Sequence, residues 1–155
     1  MAKALVEYLL AQNLTISCAE SCTGGQIAAA ITAVPGCSAI FPGGVCTYSE
    51  EMKIKMLGVS PDILAEFGVV STQTALEMAR GVRNLTGSDI AVATTGIAGP
   101  GGGTPEQPVG TVCMAIVRAE GECAWCENFA AGTEVSRAEI QQRAVRRILD
   151  TVIEK

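Results

Sequence analysis

Apolar and polar residues recur along the chain with periods that predict interleaved helices and strands. Helices are predicted at residues 4–12, 50–57, 61–67, 72–85 and 136–153, with a helix of small residues at 23–34 that ends at Pro35-Gly36. Strands are predicted at residues 15–20, 44–49 and 89–95, followed by a hairpin of residues 109–118 and 123–130 around Glu120-Gly121. The chain is therefore expected to open as helix, strand, helix and to close on a long helix.

The strand predicted at residues 89–95 decides the fold class. Its run from Ile90 to Thr95 is apolar on both faces, as expected for a central strand covered on both sides. Strands interleaved with helices, plus one late hairpin, indicate an α/β protein: a three-layer α/β/α sandwich on a mixed β-sheet. The chain shows no internal repeat and no linker, so we expect residues 1–155 to form a single domain.

Composition narrows the class of protein further. Of 155 residues, 48% are hydrophobic and 17% charged, which excludes disorder, and no apolar run approaches the ~18 residues of a membrane span. The first residues include Glu7 and lead into an amphipathic stretch, so we predict no signal peptide and a cytoplasmic location. A net charge of -5 repels polyphosphate, which disfavours a nucleic-acid partner.

The residue inventory also limits the chemistry. The chain has no histidine, which removes the Ser-His-Asp triad, the Cys-His dyad and a His-ligated zinc site, so a catalytic base would be Lys, Tyr, Asp or Glu. Seven cysteines without a secretory signal favour reduced thiols over disulfides. Cys123 and Cys126 are three apart on a predicted strand and face opposite sides, so we expect neither a metal nor a cofactor.

Two loops at predicted strand ends carry unusual residues. The segment 19–25 (AESCTGG) runs from a strand into a helix start, where it either holds an anion with its backbone N–H groups or simply caps the helix; both interpretations stay open. The loop 95–110 has six Gly and three Pro among sixteen residues, more than a connection needs. We interpret it as a binding loop, since ligands of such sheets bind at the carboxyl ends of strands.

Lys53 is the best single candidate for catalysis. On a helical wheel it falls within an apolar arc, whereas Lys55 points away; the arc consists of Met52, Ile54, Met56 and Leu57. Partial burial lowers the pKa of a lysine and frees it to act as a base, although a buried salt bridge is the structural alternative. Tyr48 at the preceding strand end either shares a proton network with Lys53 or caps the core.

The last predicted helix aligns two polar residues with its apolar face. That face is formed by Ile140, Ala144, Val145, Ile148, Leu149 and Val152, and Arg137 and Gln141 lie in line with it at the first turns. An inward arginine at a helix start suits recognition of phosphate or carboxylate, and the alternative is a buried ion pair.

Several segments form a set more specific than any one motif. They are AESCTGG at 19–25, TYS at 47–49 with Lys53 and LGV at 57–59, GVVS at 68–71, TGIAGP at 95–100 and PVGTV at 108–112. In this order, over nearly the whole chain, they resemble the CinA C-terminal domain family, in the stand-alone version that lacks a larger N-terminal domain. The resemblance implies a cytoplasmic nicotinamide-nucleotide amidase that converts nicotinamide mononucleotide to nicotinic acid mononucleotide and ammonia. We expect a small pyridine nucleotide as partner and a homo-oligomer, dimer or higher.

The resemblance also implies a serine–lysine dyad that includes Lys53. It favours Ser38 as the nucleophile, whereas topology favours Ser21, because a parallel crossover leaves Ser38 at the opposite sheet edge; both stay open, with Ser38 ahead. Predicted substrate contacts are Thr23, Gly24, Thr95, Gly96, Gly99 and Arg137. The chain departs from the family pattern at Gln107, at Gln141 and in the segment 132–137. The alternatives are a catalytically silent nucleotide-binding module and a structural partner domain.

Overall fold

A computed structural model describes residues 1–131 and 134–154. The helices are α1 (Ala2–Gln12), α2 (Gln26–Thr32), α3 (Glu50–Leu57), α4 (Pro61–Phe67), α5 (Thr72–Thr86) and α6 (Arg137–Glu154), with a short 3₁₀ turn at Cys37–Ala39. The strands are β1 (Ile16–Glu20), β2 (Gly43–Cys46), β3 (Ile90–Gly96), β4 (Thr111–Arg118) and β5 (Gly121–Asn128). Of the segment that departs from the family pattern, residues 132 and 133 lie outside this description.

The five strands form one mixed sheet in the order β2-β1-β3-β4-β5. β1 runs parallel to β2 and β3, and β4 and β5 add two antiparallel strands. Alternate residues of β3 enter two separate hydrophobic cores: Ile90 and Val92 face α1, α2 and α6, whereas Ala91 and Ala93 face α5 and the α3–α4 segment. The predicted three-layer α/β/α sandwich is confirmed, because β3 buries both of its faces as its apolar run requires.

The start of α2 and the end of β2 differ from the prediction. The second helix was expected from residue 23 but begins at Gln26, because Gly24 and Gly25 both adopt positive φ and turn the chain first. The second strand ends at Cys46, three residues short of its predicted end. Ser49 then accepts a hydrogen bond from the Met52 N–H and starts α3 as its N-cap.

The residues predicted to face the core agree with the structure in α6 but only in part in α3. All six predicted apolar positions of α6 are buried. In α3 half of the predicted apolar arc is wrong, because Ile54 and Met56 are exposed, whereas Leu57 is buried and Lys53 faces inward as predicted. These two lie four residues apart on one face, so a narrow stripe that includes the lysine packs inward.

The expectation of reduced thiols is wrong for two cysteines. Cys113 and Cys126 form a disulfide, whereas Cys123 is free. The antiparallel register places Cys113 of β4 directly opposite Cys126 of β5, a relation that spacing along one strand does not show. Within the described residues, no helix is both long and apolar enough to cross a membrane.

Candidate active site

A cleft of about 250 Å³ opens at the carboxyl ends of the parallel strands. It is lined by Ser21, Cys22, Tyr48, Glu50, Lys53, Val69, Val70, Thr95 and Gly96. β1, β2 and β3 all end here, so the residues that follow three neighbouring strands converge on one space. The structure thus brings together five of the predicted site residues: Ser21, Tyr48, Lys53, Thr95 and Gly96.

Lys53 reaches the cleft from the buried face of α3 and is only 2% exposed. Its Nζ donates hydrogen bonds to Ser21 Oγ at 3.0 Å and to the Thr47 carbonyl at 2.8 Å. It makes no ion pair with any residue that the structure describes, so the alternative of a structural salt bridge is not what is seen. Burial lowers the pKa of Lys53 below its ordinary value, which favours the neutral amine that a base requires.

Ser21 is the first residue after β1 and is held in place by its backbone. Its N–H donates to the Thr94 carbonyl at 3.0 Å, which extends the pairing with β3, and its carbonyl accepts from the Gly24 N–H at 3.1 Å in the turn that follows. The side chain is 8% exposed and lines the cleft. A serine hydroxyl that contacts a buried lysine amine of lowered pKa and borders an open space is the arrangement that nucleophilic attack requires.

The backbone N–H groups at the start of α2 donate hydrogen bonds to the side-chain carboxylate of Glu20. Glu20 is 1% exposed, and its two carboxylate oxygens accept hydrogen bonds from the Gly25, Ile27 and Ala28 N–H groups, each at 3.0 Å. These are the donors that an external anion would need. Of the two open interpretations of segment 19–25, the structure therefore supports the capped helix. This role of Glu20 was not predicted, although an acid ahead of a helix start was the available signal.

Thr23 and Gly24 were predicted to contact substrate, but neither lines the cleft. Thr23 is fully buried, and its hydroxyl donates to Glu20 Oε2 at 2.6 Å and lies 2.8 Å from the Thr94 hydroxyl. Gly24 has a φ of 61° and supplies the turn. Both residues therefore shape the loop behind Ser21, and their predicted contact with substrate is corrected to a supporting role.

Thr95 and Gly96 end β3 at the floor of the cleft. Thr95 donates its hydroxyl to the Val69 carbonyl at 2.6 Å, which ties β3 to the segment before α5. A Cβ at Gly96 would lie 2.6 Å from the Thr111 carbonyl oxygen, so only glycine fits here without displacing β4. We interpreted the glycine-rich loop as a binding loop. At Gly96, however, the group that lies close to the loop backbone is the Thr111 carbonyl of this chain.

Arg137 bridges the rim of the cleft. Its guanidinium donates to the Gly99 carbonyl at 2.8 Å and to Tyr48 Oη at 2.6 Å. Arg137 is exposed, so neither the predicted inward orientation nor the buried ion pair is observed. Tyr48 is 63% exposed, and its hydroxyl contacts Arg137, so it is not part of the observed hydrogen-bond network of Lys53.

The two glutamines that depart from the family pattern hold backbone carbonyls of the cleft wall. Gln107 Nε2 donates to the Val70 carbonyl at 2.7 Å. Gln141 Nε2 donates to the Cys22 carbonyl at 2.8 Å, and Gln141 Oε1 accepts from Gln26 Nε2 at 2.8 Å. Each amide therefore positions a residue that borders the cleft.

Ser38 is not brought to Lys53. It is exposed in the 3₁₀ turn before β2, and the neighbouring Ile40 carbonyl accepts from the N–H of Ile16, the first residue of β1. Lys53 lies beyond the last residue of the parallel strand β2, at the opposite edge of the sheet. Within one chain the geometry therefore corrects our preference for Ser38, and Ser21 is the serine that contacts Lys53.

The mixed sheet flanked by helices defines a single-domain α/β protein that has a polar cleft at its parallel strand ends. The family model of the CinA C-terminal domain matches residues 1–155, and the chain belongs to this family. It is 54% identical over 112 residues to a CinA-like protein of Chlorobaculum tepidum, covering 72% of this chain and 26% of that protein. It is 45% identical over 150 residues to a CinA-like protein of Synechococcus sp., covering 97% of this chain and 35% of that protein. The chain thus spans about a quarter to a third of the curated relatives' length.

Solved structures support the same assignment. The competence/damage inducible protein CihA from Agrobacterium tumefaciens superposes with a TM-score of 0.93 at 41% identity, covering 99% of this chain and 92% of that one. A CinA superfamily protein from Klebsiella pneumoniae gives a TM-score of 0.93 at 34% identity, covering 99% and 94%. These proteins share the whole fold, including the sheet edge at which the cleft lies.

Proposed function

We propose that this chain is an amidase that hydrolyses the carboxamide of nicotinamide mononucleotide to nicotinic acid mononucleotide and ammonia. The observation that carries the proposal is the 3.0 Å contact between the buried Lys53 amine and the Ser21 hydroxyl at the wall of an open cleft. The substrate class comes from the resemblance to the CinA C-terminal domain family. The chemistry comes from the serine–lysine contact.

The reaction divides into two steps. Neutral Lys53 accepts the proton of the Ser21 hydroxyl while Ser21 Oγ attacks the carboxamide carbon, and the amine then returns that proton to the departing nitrogen, which leaves as ammonia. In the second step Lys53 takes a proton from water as the water oxygen attacks the acyl carbon, and it returns that proton to Ser21 Oγ as the ester bond breaks, which restores the serine and releases nicotinic acid mononucleotide. The Thr47 carbonyl, which accepts from Lys53 Nζ at 2.8 Å, orients the amine throughout.

Recognition of the nucleotide phosphate is assigned to the rim of the cleft. The chain carries a net charge of -5, so a phosphate group needs a local cation. Arg137 supplies one between Tyr48 and Gly99, and its exposure leaves it open to a ligand. We assign the pyridine ring to the cleft beside Ser21 and the phosphate to Arg137 at the rim.

A catalytically silent nucleotide-binding module is the second candidate. The observation in its favour is that Gln107 and Gln141 stand where the family pattern has cationic residues, and both amides are already bonded to backbone carbonyls. Such a module would bind the mononucleotide and release no ammonia. A purely structural partner domain would bind no nucleotide at all.

The deciding experiment measures ammonia release from nicotinamide, its riboside, its mononucleotide and the dinucleotide. Wild-type chain is compared with Ser21→Ala, and Ser38→Ala serves as the matched control because Ser38 is exposed and remote from Lys53. We expect turnover of the mononucleotide that Ser21→Ala abolishes and Ser38→Ala preserves. Calorimetric binding of the mononucleotide without ammonia release would instead favour the silent module, and loss of activity in Ser38→Ala alone would overturn the assignment of Ser21.

A further inference from the structure

A second cavity lies at the other end of the sheet from the cleft. It has a volume of about 240 Å³ and is lined by Tyr8, Leu14, Arg83, Asp89, Ile90, Arg118, Ala119 and Glu120. Ile90 is the first residue of β3, whereas Thr95 near the end of β3 lines the cleft. Five residues of strand separate them by roughly 17 Å, so this cavity is a distinct site.

Two arginines, Arg83 and Arg118, line the cavity. Arg83 of α5 donates Nε to the Asp89 carbonyl at 3.2 Å, and Arg118 of β4 donates Nη2 to the Val152 carbonyl at 3.3 Å. Both side chains are half-buried, and neither forms a salt bridge with any residue in the described part of the chain. A guanidinium has five N–H donors, so each arginine retains donors for a ligand.

The acids near the cavity do not neutralise these arginines by contact. The Asp89 carboxylate accepts from the Thr15 N–H at 2.8 Å and from the Thr15 hydroxyl at 2.7 Å. Glu122, on the neighbouring strand, is paired with Arg80. Glu120 is exposed in the turn between β4 and β5 and borders the cavity without an ion pair among the described residues. The hydrogen bonds to Asp89 and Glu122 are the main cause of the lowered pKa of these two carboxyls, and the charge of Arg83 adds to it, but Arg83 forms no ion pair with either among the described residues. The two guanidinium groups are therefore the positive charges of this cavity that a bound anion can contact.

The remaining walls are apolar or aromatic. The Tyr8 ring, Leu14 and Ile90 cover the side formed by α1 and the start of β3. Apolar walls together with two guanidinium groups that line the same cavity suit a small organic anion, which the arginines would contact at its head and the apolar walls at its body. We propose that this cavity binds a small carboxylate that carries an aromatic or apolar body. The inference does not depend on the proposed amidase function.

Nuclear magnetic resonance titration of the full chain tests this site directly. Benzoate is the probe, benzamide is its uncharged counterpart, and inorganic phosphate is an anion without a body. We expect saturable shifts from benzoate at the amides of Leu14, Ile90 and Ala119, with a dissociation constant of about 1 mM or tighter, and no such shifts from benzamide. Absence of saturation about tenfold above that concentration, equal binding of benzamide, or equal binding of phosphate would each overturn the proposal.

Variants then assign the binding to the two guanidinium groups. Arg83→Gln and Arg118→Gln should each weaken benzoate binding by about tenfold or more, while Arg146→Gln, an exposed arginine of α6 outside the cavity, should leave it unchanged. Glu120→Gln removes a nearby negative charge and should tighten binding. Arg118→Lys, which keeps a charge, should recover part of the affinity if Arg118→Gln proves unstable. An unchanged affinity in a folded Arg83→Gln chain, or in a folded Arg118→Gln chain, would refute the site. The benzoate-induced chemical shift changes are followed at amides that border this cavity and not the cleft. The result of the titration therefore does not depend on whether the chain releases ammonia from a nucleotide.

Discussion

Replacing Lys53 with methionine tests whether this lysine acts in catalysis or mainly stabilises the fold. Methionine keeps the length and the apolar stem of the side chain but removes the amine that contacts Ser21 and Thr47. A well-matched base contributes about 10²- to 10⁴-fold in rate, so kcat should fall by roughly that factor or more. At about 1.4 kcal/mol per factor of ten, this is a loss of roughly 3 to 5 kcal/mol of transition-state stabilisation.

The effect of Lys53→Met on stability should be much smaller, because two contributions oppose each other. The variant loses two hydrogen bonds, each with a net contribution of about 1 kcal/mol. It also removes an amine that is only 2% exposed and has no carboxylate partner among the described residues, which relieves the desolvation cost of burying that polar group. We therefore expect a change of about 2 kcal/mol or less in the free energy of unfolding near neutral pH.

The stability difference should depend on pH with a defined sign. Burial lowers the pKa of Lys53 in the folded chain, whereas the unfolded chain titrates at the ordinary value. Between these two pKa values the unfolded chain binds one more proton than the folded chain. The wild-type free energy of unfolding therefore gains up to about 1.4 kcal/mol per pH unit relative to Lys53→Met as the pH rises through this window. Below the folded pKa the full cost of the buried charge is present and this slope disappears.

The assay measures kcat and melting temperature on the same preparations across this pH range. Lys55→Met is the matched control, because Lys55 is exposed on the same helix and should retain wild-type values. The wild-type rate should also fall at low pH, as protonation removes the base. A folded Lys53→Met chain with wild-type kcat would refute the mechanism. A pH-independent stability difference between wild type and Lys53→Met would refute the depressed pKa.

Three further predictions concern the rim, metals and cysteines. Arg137→Ala should raise KM for the mononucleotide about tenfold more than for the riboside, since Arg137 is assigned to the phosphate; equal effects on both substrates would remove that role. Because the chain has no histidine, turnover should survive a chelator, and a loss that zinc or magnesium restores would contradict this. Alkylation of the unfolded, unreduced chain should label five of the seven cysteines, with Cys113 and Cys126 protected until reduction, as mass spectrometry can check.

The assembly of the chain also stays a prediction. We expect a dimer or a higher homo-oligomer, which light scattering coupled to size-exclusion chromatography measures directly. A monomer at the concentrations used for the ammonia assay would contradict the expectation without affecting the assignment of Ser21 and Lys53, which are brought together within one chain.

The candidate site was only partly predictable from sequence. The burial of Lys53 followed from its place on a helical wheel, although half of the apolar arc used to argue it is exposed. The choice between Ser21 and Ser38 needed the path of the chain. Because β2 runs parallel to β1, the crossover returns to the starting edge of the sheet and leaves Ser38 there, while Ser21 and Lys53 meet at the other edge.

Local sequence patterns were enough to predict the order of helices and strands, the central position of β3 and the inward face of α6. Periodicity reports which side of an element is buried, and both faces of β3 are apolar. Contacts between residues far apart in the chain became visible only in the folded protein. Glu20 caps α2 with its own carboxylate, Cys113 meets Cys126 across two strands, and Arg83 shares a cavity with Arg118. Such contacts depend on strand register and on the approach of separate elements, which no local pattern encodes.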